Sequence, residues 1–240
     1  MARLSICLNQ VARIRRHKKG HHPDPVALAI AAEMAGIDGI VVHLREDRSD
    51  ITDRDITLLK EVVHSHFNLA VPLNDEMVKK ALNWLPDMVT LVPSAATEKE
   101  DTSLDVATSL PYVEEVVQTL RANNIVVTLL VDPEAQQIRA AARAQADYIQ
   151  LNTAPLAKVE DLSTMSDVIE QLRSAAIAAH KIGLGVTAGR ALNSQTLREL
   201  VGIQYIEEFN IGWAIISRAI LVGIEKAIQD FKSLITNPKG

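Results

Sequence analysis

Gly183-Leu-Gly-Val-Thr-Ala-Gly189 is the stretch on which the choice of fold turns. Its three glycines invite a reading as a dinucleotide-binding turn. That turn needs G-x-G-x-x-G after a strand and at the start of a helix, so that backbone amides and the helix N-terminus meet a pyrophosphate. Here the spacing is wrong and the stretch overlaps a strand instead of following one. The first strand–helix turn of the chain, residues 9–24, contains Gly20 alone. An open nucleotide-binding sheet is therefore disfavoured.

Working outward, short apolar runs alternate with longer segments of helical periodicity. Ile6–Leu8, Gly39–Leu44, Leu69–Leu73, Met88–Val92, Ile125–Val131, Tyr148–Leu151, Leu184–Val186 and Ile206–Ile211 read as strands buried on both faces. Pro25–Ala35, Asp53–His64, Asp75–Trp84, Pro111–Ala122, Pro133–Ala144, Asp161–His180, Ser194–Val201 and Ala214–Leu234 read as helices. Asp24 before Pro25, Asp132 before Pro133, and Asn193 are expected to cap helix starts. Gly36, Gly183 and Gly202 fall where helices should stop. The alternation predicts a single-domain, closed (β/α)8 barrel of the TIM type over residues 1–240, a length this fold ordinarily uses (about 200–250 residues).

Composition narrows the functional classes. The chain is 48% hydrophobic and 23% charged, with 25 basic against 30 acidic residues and a net charge of −5. That balance carries no footprint for nucleic acid or an anionic membrane. Cys7 is the only cysteine, so an intrachain disulfide is impossible and a reducing, cytoplasmic setting is expected. The N-terminal apolar run is too short for a signal peptide, and no stretch reaches the roughly 18 apolar residues of a membrane span.

In a barrel of this kind the chemistry lies at the C-terminal ends of the strands. Those ends carry Asn9 and Gln10, then the basic run Arg13–Lys19, which reads either as a mobile loop that closes over an anionic substrate or as a solvated surface loop. His43, Arg45, Glu46, Asp47 and Arg48 follow the second strand. His43 faces the mouth if Val41 faces inward, and is either a general base or a hydrogen-bonded core histidine. Gly189 with Arg190, and Gly212 with Trp213, end the last two strands. Glycines there admit backbone amides to an anion, and the helix from Ala214 points its positive end at the same place. A phosphate site is the functional reading, and simple relief of crowding at two turns is the alternative. The remaining histidines lack company at metal-ligand spacing, and no metal or cofactor pattern is present.

His43-Leu-Arg-Glu-Asp-Arg48 with Ile51-Thr-Asp-Arg-Asp55 resembles the second-strand signature of the pyridoxine 5′-phosphate synthase family. Pro23-Asp-Pro25, Ala35-Gly-Ile-Asp-Gly39, Leu91-Val-Pro93, Leu104-Asp-Val106, Thr187-Ala-Gly189 and Asn210-Ile-Gly212 with Ala214-Ile-Ile-Ser-Arg-Ala219 continue the resemblance collinearly. It implies a metal-free (β/α)8 barrel with extra helices, assembled as a homo-octamer. The implied reaction condenses 1-deoxy-D-xylulose 5-phosphate with 3-amino-2-oxopropyl phosphate, so the implied partners are small phosphorylated metabolites.

The same resemblance implies acid–base side chains that this chain does not carry. The family's Asn, Asp and His at the end of the first strand fall on Cys7, Asn9 and Gln10, and its third-strand glutamate on Ala70. Other family histidines fall on Asp50, Asn152, Arg190 and Trp213, a glutamate on Gln150, and a glycine on Ala191. His43, Arg45 and Gly212 match, and Lys18 stands where a phosphate-binding arginine is expected. The resemblance thus assigns catalysis to His43 and Arg45, and binding to Asn9, Gln10, Arg15, Lys18, Asp50, Arg190, Ala191, Gly212 and Trp213. Alanine and glutamine exchange no proton near neutral pH, and arginine stays charged. Three functions stay open on this reading: a weakened synthase, a silent ligand- or protein-binding paralogue, and another reaction on the same barrel.

Overall fold

The computed structural model describes residues 1–17, 20–94, 102–159 and 161–237. Parallel strands close in chain order into a barrel: β1 (Arg3–Cys7), β2 (Gly39–His43), β3 (His66–Pro72), β4 (Met88–Val92), β5 (Val126–Val131), β6 (Tyr148–Asn152), β7 (Gly185–Gly189) and β8 (Ile206–Ile211). Closure runs through Ser5 opposite Asn210 and Ile6 opposite Ile211. Helices α1 (Asn9–His17) and α2 (Pro25–Met34) follow β1. α3 (Asp53–Val62), α4 (Asp75–Trp84), α5 (Leu110–Ala122), α6 (Ala135–Arg143), α7 (Leu162–Lys181) and α8 (Ser194–Leu200) follow β2 to β7 in turn, and α9 (Trp213–Val222) and α10 (Ile224–Thr236) follow β8.

Strand alternation sorts the side chains into two environments. Leu4, Ile6, Ile40, Val42, Leu69, Val71, Phe209 and Ile211 point outward and join the helices in one continuous apolar core. Many of the inward positions are polar: Ser5, Asn68, Thr90, Thr128, Gln150, Thr187, Glu208 and Asn210 are all buried. Ala70, Val92 and Leu130 form a small apolar cluster of their own near the mouth. Thr90 donates to Asn68 Oδ1 at 2.9 Å, and Arg3 pairs with Glu208 at 3.2 Å, so part of this polar interior is satisfied internally.

Several sequence expectations need correction. The basic segment after β1 is largely a helix, α1, and not a loop, because Val11 and Ala12 bury against the core. Lys18 lies outside the described residues. The helix expected to run to His64 ends at Val62, and His66 already opens β3. Asp24 and Asn193 do cap α2 and α8, the latter in a capping box. Asp132 caps nothing, since α6 starts later, at Ala135; its carboxylate accepts from Ser103 and Asn152. The segment read as one helix from Ala214 to Leu234 is split at Gly223, whose φ of 83° lies in the left-handed region that favours glycine.

Candidate active site

A cavity of about 500 Å³ opens at the C-terminal ends of the strands. It is lined by Cys7, Asn9 and Gln10 from β1 and α1, His43 at the end of β2 and Arg45 just after it, and Gln150, Arg190, Ala191, Asn210, Gly212 and Trp213 from β6 to α9, with Ala70, Thr90 and Val92 as further wall. Its size suits a small metabolite. Sequence reasoning did not carry Arg13 individually into the site, yet its position on α1 brings it to the same wall. It also passed over the pairing of Gln150 with Asn210. Asn210 lies two residues before Gly212 on an inward strand, which is the signal that would have found it.

Asn9 is the clamp that sets His43. Its side-chain oxygen accepts from the His43 backbone N–H, and its amide nitrogen donates to the His43 carbonyl, both at 2.7 Å. Both sides of the amide are thus engaged in tying β2 to the start of α1. The His43 Nε2 is buried without a hydrogen-bond partner among the described residues. Burial, and then the positive charges of Arg45, Arg190 and Arg13, lower the imidazole to about 3. The ring is therefore neutral near pH 7. Cys7 is pushed up by burial more than Asn9, Arg13 and Arg190 pull it down, so it stays a thiol.

Arg13 and Arg45 converge on one carboxylate. Arg13 Nε donates to Asp50 Oδ2 at 2.9 Å, and Arg45 Nε lies 3.4 Å from the same oxygen. Asp50 is buried, so the two guanidinium groups hold its carboxylate out of bulk solvent. With Arg190 at the rim, three guanidinium groups line the cavity among the described residues, and Asp50 pairs with two of them. Arg15 is placed differently from the expectation. Its guanidinium forms a bidentate pair with buried Asp55, at 2.8 and 2.6 Å, and donates to the Asp50 carbonyl at 3.2 Å. It is absent from the cavity wall and acts from behind it.

The turn after β7 is held in an uncommon conformation. Arg190 and Ala191 both have positive φ, 81° and 52°, which costs a non-glycine residue roughly 1 kcal/mol each. Thr153 secures it, donating its hydroxyl to the carbonyls of Gly189 and Arg190 at 2.9 and 2.5 Å. Gly189 and Gly212 also have clear steric reasons. A Cβ at Gly189 would meet the Gln150 amide nitrogen at 2.7 Å, and one at Gly212 would meet Gln10 Oε1 at 2.6 Å. Both glycines make room for amide side chains. Gly212 also stands at the N-cap of α9 with no side-chain capping bond, so the helix N-terminus opens beside the cavity.

Fold and cavity define the class: a (β/α)8 barrel with an arginine-lined pocket at the mouth. The family model described as pyridoxal phosphate biosynthesis protein PdxJ matches residues 4–237, and the chain belongs to that family. It is 42% identical to the pyridoxine 5′-phosphate synthase of Geotalea daltonii over 236 residues, covering 98% of this chain and 99% of that one. It is 41% identical to that of Synechococcus sp. (strain CC9605) over 240 residues, covering 100% and 96%. Solved structures that share the fold include KGPDC from Streptococcus mutans (TM-score 0.66, 11% identity, both chains covered in full). Phosphoribosyl anthranilate isomerase from Thermotoga maritima is another (TM-score 0.63, 13% identity, 98% and 99% covered).

Proposed function

We propose that this pocket binds a small phosphorylated metabolite, and that the chain turns over the family condensation weakly or not at all. The observation that carries the reading is the make-up of the cavity wall. Among the described residues it holds Arg13, Arg45 and Arg190, no carboxylate and a single imidazole, His43. Anion binding needs fixed positive charge and amides, which are present, including the open N-terminus of α9. Ring closure with repeated proton transfers needs groups that give and accept protons near neutral pH. His43, at about 3, is a weak base, and the amides of Gln10, Gln150 and Asn152 exchange none. The names of the relatives favour the synthase reaction itself; in that reaction His43 would act as base and Arg45 would hold the anion. Homo-oligomerisation belongs to the same proposal and is supported by the apolar exposed side chains of α9.

The test is a coupled assay with 1-deoxy-D-xylulose 5-phosphate and 3-amino-2-oxopropyl phosphate at saturation, beside the Geotalea relative. Activity at least a hundredfold below that relative is expected, with phosphate binding retained in calorimetry. Turnover within about tenfold of it (roughly 1.4 kcal/mol in barrier), abolished by His43→Ala, would establish an active synthase instead.

A further inference from the structure

Two residues that line the cavity each carry a buried amide oxygen with no hydrogen-bond partner among the described residues: Asn210 Oδ1 and Gln10 Oε1. Asn210 is the more informative of the two. It is 9% exposed, and its Nδ2 donates at 3.0 Å to Oε1 of Gln150, itself 8% exposed. Gln150 sits on β6 and Asn210 on β8, with β7 between them. They meet across that strand because Gly189 lacks the Cβ that would lie 2.7 Å from the Gln150 amide nitrogen and 3.2 Å from Asn210 Cβ. The bond to Gln150 fixes which way the Asn210 amide faces, and leaves Oδ1 as the free side. Both residues line the cavity. A buried carbonyl oxygen without a donor is costly, and native proteins supply one from protein, water or ligand.

Resting on the phosphate-binding reading above, we propose that Asn210 Oδ1 is a specificity-determining acceptor that receives a hydrogen bond from a hydroxyl or amino group of the bound phosphate ester. The wall then divides the labour of recognition. Guanidinium groups donate to the ester's phosphate, and the amide held by Gln150 accepts from a donor on its carbon chain. A site built to hydrogen-bond such a donor rejects the analogue that lacks it, because the acceptor would stay buried and unpaired. Gln10 Oε1, packed over Gly212, is a second acceptor on the same wall.

Calorimetry on the whole chain tests this with three phosphate esters of similar size: n-propyl phosphate, which has no chain donor, sn-glycerol 3-phosphate, with hydroxyls, and 2-aminoethyl phosphate, with an amine. One of the donor-bearing esters is expected to bind about 2- to 10-fold more tightly than propyl phosphate, the span of one neutral hydrogen bond. Which of the two gains identifies the donor. Asn210→Leu should erase that preference, read as the ratio to propyl phosphate in the same variant, and Asn210→Asp, which keeps an acceptor oxygen on the same side chain, should restore it. Circular dichroism checks folding, with Asn210→Ala used if the leucine does not fit. Equal binding of all three esters by the wild type, or a preference that survives in both Asn210→Leu and Asn210→Ala, overturns the proposal and leaves the anion site standing. If none of the esters nor inorganic phosphate binds, the anion reading falls, and this inference with it.

Discussion

Burial and the guanidinium groups of Arg45, Arg190 and Arg13 act on the His43 ring in one direction, and the lowering to about 3 sets a sign for its pH dependence. In the unfolded chain a histidine titrates near 6.5, so between about 6.5 and 3 the unfolded chain binds a proton that folded His43 refuses. Above pH 6.5 the ring is neutral in both states and contributes no slope. As pH falls through that window, His43 should cost up to about 1.4 kcal/mol of stability per pH unit. Urea melts at pH 7 and pH 5 should show His43→Gln losing less stability on acidification than the wild type. An anion bound among the same arginines cancels part of their charge, so phosphate should raise the His43 pKa, as followed by NMR of the ring protons. An unchanged titration with phosphate at saturation would place the anion away from Arg13, Arg45 and Arg190.

At the scale of elements, α1 is the piece whose docking sets the site. Arg13 on its inner side reaches Asp50, and Arg15 one turn-half further grips Asp55 at the start of α3. Burial alone would raise the Asp55 carboxyl, but the bonds from Arg15 and Thr52 and the charge of Arg15 outweigh it and leave the group lowered. Removing one partner of such a pair strands a buried charge at a cost of about 3–5 kcal/mol. Arg15→Met is therefore expected to destabilise the chain by an amount of that order in urea. The double variant Arg15→Met with Asp55→Leu should recover much of the loss, since replacing both charges by apolar groups removes the stranded one. Recovery of less than about 0.5 kcal/mol would show that the two side chains act independently.

At the scale of the molecule, α9 presents side chains that a lone barrel does not cover. Trp213, Ile220 and Leu221 are 61%, 72% and 78% exposed, and their spacing of seven and eight residues puts them on one side of the helix. Scattered exposed apolar residues are ordinary, but a stripe on one helix marks an interaction surface. Light scattering after size exclusion should give a mass that is a multiple of 26.3 kDa. The Ile220→Glu, Leu221→Glu variant should move toward the monomer. A wild-type monomer at micromolar concentration would refute self-association through this face. No helix among the described residues is long and apolar enough to cross a membrane.

The barrel is legible in the sequence itself, because buried parallel strands and amphipathic helices each impose a period on the chain, and the alternation of the two admits few closed solutions. His43, Arg45, Gly212 and Trp213 were legible for the same reason: they stand at strand ends, where this fold puts its mouth. What the sequence could not reveal is which polar groups meet. Arg15 and Arg13 are two residues apart and chemically identical, yet one faces Asp55 behind the wall and the other faces the cavity, because α1 turns by about 100° per residue. Gly189 read as a place for an anion, and its space turned out to be taken by an amide reaching across β7. Local periodicity determines where each strand and helix lies. Only closure of the barrel, which brings β6, β8 and α1 to one wall, decides that Gln150 satisfies one side of Asn210 and leaves the other side for a ligand.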